Sequence, residues 1–147
     1  MAVTEQRVSS RQYATFVVDD LFFGVDVLRV QEVLRYQEMT AVPRSDGIIE
    51  GLINLRGQIV TALDMRRRLG LAQRGNGETP MNVVLRGAGG AVSLLVDDIG
   101  DVIEVDPEGF EPPPATLQPS ARDILEGVYK LEDRLLLVLA SDRVLEV

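Results

Sequence analysis

Neither cysteine nor histidine occurs anywhere in the 147 residues. Without cysteine there is no disulfide framework, no thiol nucleophile and no thiolate metal ligand. Without histidine there is no imidazole base and no imidazole ligand, so most hydrolase, protease and zinc chemistries fall away together. Tryptophan is missing too, and aromatic residues make up only 5%. The core must therefore be built from valine, leucine and isoleucine. Long apolar runs are also absent. The longest, Leu135 to Ala140, has six residues, against about 20 for a helical membrane span. Basic residues are the minority, 15 Lys and Arg against 23 Asp and Glu, for a formal charge of −8. That sign repels phosphate backbones and anionic leaflets, which argues against nucleic acid and membrane surfaces as partners. The opening MAVTEQRVSSRQ is polar and carries no apolar signal region, so the expectation is a cytoplasmic protein.

What remains is enough for one domain with a real core: 46% of residues are hydrophobic, in a chain of ordinary domain length. Residues 1–10 read as a flexible tail. Short runs rich in β-branched residues follow, each bounded by a turn signal, which predicts a mostly β protein. YATFVV (13–18), Asp19-Asp20 and LFFGV (21–25) form a hairpin. Asp26 is a good N-cap, and Val27, Val30, Val33 and Leu34 recur at helical spacing, which predicts a short helix with Arg29 and Glu32 off its apolar face. IIEGLINLRGQIVTAL (48–63) is a second hairpin, and LDMRRRLGL (63–71) ends it in a helical turn. MNVVLR (81–86) and AVSLLV (91–96) form a third, which VDDIGDVIEV (96–105) continues. The Pro-rich 106–120 is an irregular connection. ILEGVYKL (124–131) and RLLLVLA (134–140) form the last hairpin, followed by a short helical tail.

The chain repeats itself. Shifted by 76 residues, 48–71 lies without gaps on 124–147, with seven identities in 24 positions: Ile48, Glu50, Gly51, Leu55, Leu63, Arg67 and Leu69 fall on Ile124, Glu126, Gly127, Leu131, Leu139, Arg143 and Leu145. A shift of 69 places Val27, Val30, Glu32, Val33 and Leu34 on Val96, Ile99, Asp101, Val102 and Ile103 by pattern. Two copies of one small β unit, about 13–71 and 82–147, are the expectation. Each is near the lower limit for an independent core, so the two should pack together, and small five-stranded units close into barrels to hide their edges. Leu52, Leu55, Ile59 and Leu63, with Val128, Leu131, Leu135 and Leu139, are expected inside, and the tips at Arg56 and Glu132 outside.

One residue stands apart from this plan. In Asn54-Leu55-Arg56-Gly57, asparagine suits the first position of a type I turn and glycine the fourth. Arg56 is thrust outward, and any polar residue could serve the turn. The matching Lys130-Leu131-Glu132-Asp133 carries an acid in its place, so the fold tolerates either sign there. A planar, permanently charged fork at such a tip suits a carboxylate or carbonyl of a partner. Other constellations carry less. Asp97-Asp98-Ile99-Gly100-Asp101 has the spacing of magnesium-diphosphate sites but strand-like flanks, and reads as a solvated acidic turn. GAGG (87–90) and GNG (75–77) lack the helix and lysine of phosphate loops. Arg66-Arg67-Arg68 reads as a solvated helical face with local ion pairs, and EPPPA (111–115) as a stiff connection. A nucleic-acid-binding pair of barrels would need stacked aromatics on a basic face, and Tyr13, Tyr36 and Tyr129 are too few. A carboxylate-only enzyme would need two converging acids, which the sequence neither shows nor excludes.

GVDVLRVQEVL (24–34) and VPRSDGIIEGLINLRGQIVTALDMRRRLGL (42–71), with VDDIGDVIEV and the PPP-containing connection before LEGVYKLEDRLLLVLA, resemble the CheW family of chemotaxis coupling proteins from about Tyr13 to Leu145. The resemblance implies two SH3-like five-stranded barrels around a shared core and no catalytic activity; from the residues themselves no cofactor and no metal are expected. It implies an adaptor joining the cytoplasmic tips of chemoreceptors to the regulatory domain of the chemotaxis histidine kinase; the chain is expected to be a monomer alone and to assemble into arrays only with kinase and receptor. It places partner binding at Arg56 and Glu32 with Gly51 nearby, and the candidate surface extends to Asn54, Gly57 and Val30. Thr61, Met65 and Asp46 depart from the family's usual residues without touching the NLRG turn.

Overall fold

The computed structural model describes residues 11–42, 47–75 and 77–145. The tail expected at 1–10, and Asp46, lie outside them. Ten strands form two five-stranded sheets. One sheet has the order β8-β1-β2-β10-β9, from β1 (Arg11–Val18), β2 (Leu21–Asp26), β8 (Asp98–Val105), β9 (Leu125–Lys130) and β10 (Leu135–Leu139). The other has the order β3-β6-β7-β5-β4, from β3 (Val30–Leu34), β4 (Ile49–Leu55), β5 (Gln58–Asp64), β6 (Met81–Leu85) and β7 (Val92–Val96). Among the described residues, three single-turn α-helices, α1 (Met65–Arg68), α2 (Pro119–Arg122) and α3 (Ser141–Val144), and two 3-10 turns, Val27–Arg29 and Pro107–Gly109, complete the elements. This is the two-subdomain, mostly β fold expected.

The two orders are the same pattern under the repeat: β3, β4, β5, β6 and β7 correspond to β8, β9, β10, β1 and β2. Neither sheet follows the contiguous units 13–71 and 82–147, because the β1–β2 hairpin joins the C-terminal strands through a parallel pairing of β2 with β10. The counterpart is the parallel pairing of β5 with β7. After β7 the chain does not continue its hairpin but crosses over, and β8 pairs with β1.

The burial pattern explains the continuous apolar runs. In β10, Leu137 and Leu139 face a core shared by both sheets, while Leu136 and Val138 face a smaller cluster with Tyr13 and Tyr129. In β6 and β7, Val83, Leu85, Leu94 and Val96 join the shared core, and Val84 and Leu95 face a cluster with Ile53, Leu55, Val60 and Ala62. A strand buried on both faces reads as an unbroken hydrophobic run. Burial pushes the Tyr13 phenol up to about 12, and a hydrogen bond with Tyr129 pushes the same way.

Each sheet draws its outer strands together by the same device. The segment after β3 crosses β4 through a pair of backbone hydrogen bonds between Thr40 and Leu52, and the segment after β8 crosses β9 through a pair between Glu111 and Val128. Gly51 and Gly127 sit beneath these crossings. Other recurring residues also serve the frame. Arg67 donates to the carbonyl of Gly47 (2.8 Å) and Arg143 to that of Asp123 (3.2 Å), each fixing the entry to its hairpin.

Two expectations need correction. The helix after Asp26 is a single 3-10 turn, Val27–Arg29, in which the Leu28 amide donates to Asp26 Oδ1 (2.9 Å). The cap is real, but Val30–Leu34 is a strand paired with β6. β-Branched side chains at three of the apolar positions favour that pairing over helix continuation. Ile59 is 60% exposed and Leu52 only half-buried, whereas Leu55 and Leu63 are buried. Ile59 and Leu63 share one face of β5, but Ile59 lies at the open turn end of the hairpin, and Leu55 faces the opposite side from Leu52. Ile53, Leu55, Val60 and Ala62 fill the smaller cluster of this sheet, and Leu63 faces the shared core. In the second copy Val128 and Leu139 are buried, and Leu131 and Leu135 half-buried.

Candidate functional site

β4 and β5 pair from Ile49↔Leu63 to Leu55↔Gln58. Only Arg56 and Gly57 remain to close the hairpin. A two-residue loop between right-twisted strands favours positive φ at both positions, and the observed values are 52° at Arg56 and 89° at Gly57. The turn is therefore Leu55–Gln58 in the left-handed form, not the type I turn over residues 54–57 expected from the sequence. Glycine adopts that conformation freely, but an arginine there costs about 1–2 kcal/mol. The Gly57 amide donates to Asn54 Oδ1 (2.9 Å), which braces the turn from the strand side.

Arg56 does not project freely. Its Nη2 donates to Glu32 Oε2 on β3. Closure of the sheet brings these two elements together although β3 and β4 are its opposite edges. The Arg56 side chain nevertheless remains 70% exposed, against 21% for Glu32. The pair orients the guanidinium without covering it. A fork held this way can exchange one internal carboxylate contact for a carboxylate or carbonyl of a partner.

The other candidate residues take different places. Asn54 and Gly57 are exposed and belong to the turn itself. Gly51 is buried, and a Cβ on it would lie 2.7 Å from the Thr40 carbonyl oxygen, so it serves the crossing segment. Val30 is half-buried against the shared core, and its carbonyl accepts from Arg86 Nη1 (2.7 Å). The structure thus brings Arg56, Glu32, Asn54 and Gly57 together at one tip, and places Gly51 under the crossing segment and Val30 against the shared core.

A second charged cluster escaped the sequence reading. Arg66 of α1 grips Asp97, in the crossover between β7 and β8, with Nε (2.9 Å) and Nη2 (2.7 Å). Arg74 Nε lies 3.2 Å from the same carboxylate, and the Asp19 amide donates to it (2.6 Å). Arg66 is thus not on a solvated face, and Asp97 is not in a solvated turn; their side chains are 17% and 20% exposed. Burial alone pushes the Asp97 carboxyl up. Hydrogen bonds from Arg66 and the Asp19 amide, with the Arg66 and Arg74 charges, outweigh that and hold it below the ordinary aspartate range. The counterpart in the other half runs with reversed charge, from Asp142 of α3 to Arg29 in the crossover between β2 and β3 (3.0 Å). No acidic cluster among the described residues is arranged to hold a metal ion, and no helix among them is long and apolar enough to cross a membrane.

Two packed sheets that hold an oriented and exposed guanidinium suit a protein-interaction scaffold. The chain belongs to the CheW-like domain family, whose model matches residues 12–147. It is accordingly a chemotaxis adaptor without enzymatic activity. It is 27% identical to the chemotaxis protein CheW of Klebsiella aerogenes, over 92% of this chain and 81% of the relative. It is likewise 27% identical to that of Bacillus subtilis, over 98% and 92%. The crystal structure of the scaffolding protein TtCheW from Thermoanaerobacter tengcongensis superposes with a TM-score of 0.82 at 29% identity, covering 93% of both chains.

Proposed function

We propose that this adaptor couples the cytoplasmic tips of chemoreceptors to the regulatory domain of a chemotaxis histidine kinase, with Arg56 and Glu32 on its partner-binding surface. The single observation that carries the assignment of the surface is the internal repeat. The recurring residues shown to act do so within the frame: Gly51 and Gly127 under the crossings, Leu63 and Leu139 in the core, Arg67 and Arg143 at the hairpin entries. Arg56 has Glu132 as its counterpart, so closing the hairpin does not require its charge.

Assembly beside a kinase domain of the same fold would use the outer strands. Val33 on β3 and Val102 on β8 occupy equivalent places at the two sheet edges and are 41% and 53% exposed. Heterologous contacts between such edges close into rings when the rotation allows. Alone the chain is a monomer, recruited from the cytoplasm into receptor arrays through its partners. Sedimentation of the isolated protein should give a single monomeric species; a stable large homo-oligomer would count against this arrangement.

The decisive experiment pairs a thermal melt with a titration on one variant. Arg56→Ala should leave the melt nearly unchanged, because an exposed substitution shifts stability by about 0.5 kcal/mol or less. The same variant should bind a receptor cytoplasmic fragment or the kinase regulatory domain roughly thirtyfold more weakly, the loss of about 2 kcal/mol typical of a charged interface anchor. Parent-like binding of both partners would refute the assignment.

A further inference from the structure

Within the proposed binding role of Arg56, we infer that Asn54 and Gly57 are positioning residues: they hold Arg56 in the left-handed turn that aims it at Glu32, and are not themselves partner contacts. The second hairpin supplies the comparison. Its strands close in the same register, with the Leu131 amide donating to the Arg134 carbonyl (2.8 Å). Its two loop residues, Glu132 and Asp133, are both outside the left-handed region, where the first hairpin has φ 52° and 89°. The position of Asn54 is taken there by Lys130, and that of Gly57 by Asp133.

This fold therefore closes the hairpin without a left-handed turn. What the first hairpin gains from one is the direction of its arginine. Arginine is a poor residue for positive φ, and Asn, Asp or Gly would adopt that conformation more readily. The sequence keeps the unfavourable residue and adds two that compensate. Gly57 supplies the second positive φ without a steric cost, and Asn54 accepts the Gly57 amide proton at 2.9 Å. The outcome is the Arg56–Glu32 contact across the two sheet edges. An outlier of backbone conformation retained beside a functional side chain is the signature of preorganisation.

The test moves the second turn's residues into the first. The double variant Asn54→Lys, Gly57→Asp keeps Arg56 and Glu32 and takes side chains that already close a hairpin in this fold. Its melt should stay within a few degrees of the parent. Arg56 should lose the strong intraresidue amide-to-α-proton Overhauser effect of a left-handed residue. If the binding conformation is then populated about a tenth of the time, affinity for the receptor fragment or kinase domain falls about tenfold. Asn54→Asp, which retains an acceptor for the Gly57 amide, should bind like the parent. Parent-like binding by the double variant, with Arg56→Ala still impaired, would overturn this inference and leave the proposed function standing. Parent-like binding by Arg56→Ala itself would remove the proposed function and this inference with it. Unfolding of the double variant would show that the fold needs the left-handed turn, which also overturns it.

Discussion

A Cβ added to Gly127 would lie 2.5 Å from the Glu111 carbonyl oxygen and against the Phe110 ring; at Gly51 the obstacle is the Thr40 carbonyl at 2.7 Å. Backbone oxygens cannot rotate away as a side-chain tip can, so the crossing segments must lift. Gly51→Ala should destabilise by about 1–3 kcal/mol, the usual cost of overpacking, and Gly127→Ala by more, because the aromatic ring is displaced as well. Urea denaturation of the two variants checks the order; equal stability of Gly51→Ala and the parent would mean that the crossing adjusts freely. On the proposed function, a binding defect in Gly51→Ala would follow from a lifted segment as readily as from a lost contact. Arg56 shows the converse. Its exposure at a hairpin tip was legible from the turn residues around it, but its backbone conformation was not, since an arginine at that place argues against a left-handed turn.

Among the elements, the hairpins were legible because Asp19-Asp20, Arg56-Gly57 and GAGG punctuate runs of β-branched and leucine residues. The helix after Asp26 was misread because the same apolar spacing suits one 3-10 turn and an edge strand, and only pairing with β6 decides between them. The clasp of α1 on the crossover at Asp97 was invisible for a different reason. Asp97 lies more than twenty residues from each of Arg66, Arg74 and Asp19 in sequence, and charge alone does not reveal its partner. Its consequence is a pH dependence of known sign. Asp97 has a folded pKa below its unfolded value, so the unfolded chain binds the proton first, and the stabilisation is complete above the unfolded pKa of about 4 and lost as pH falls through the lower, folded one. Asp97→Asn should be less stable than the parent at pH 7 by about 1–3 kcal/mol, as expected for a hydrogen-bonded charge. The gap should narrow as both are acidified to about pH 3 and below, through the Asp range. Denaturation midpoints across that range measure it; a gap independent of pH would assign the stabilisation to packing.

For the molecule as a whole, the repeat predicted two equivalent β units, and two equivalent sheets are there. The membership of the first hairpin was not readable. Its pairing with β10 rests on two residue pairs, Leu137↔Phe23 and Val138↔Gly24, more than a hundred residues apart in the chain. That separation sets an order in time. A ribosome adds about 5–20 residues per second. All five strands of the β3–β7 sheet have been made once Val96 is added, whereas β1 and β2 wait for β8, β9 and β10, on the order of ten seconds. During that interval the earliest strands made have no sheet to join. A circular permutant beginning at Val27, with the β1–β2 hairpin placed after the present C-terminus, makes both sheets contiguous. Shorter contact separation speeds folding, so the permutant should refold faster than the parent with little change in equilibrium stability. In stopped-flow refolding, equal rates would mean that the late-arriving partner strands do not limit the search.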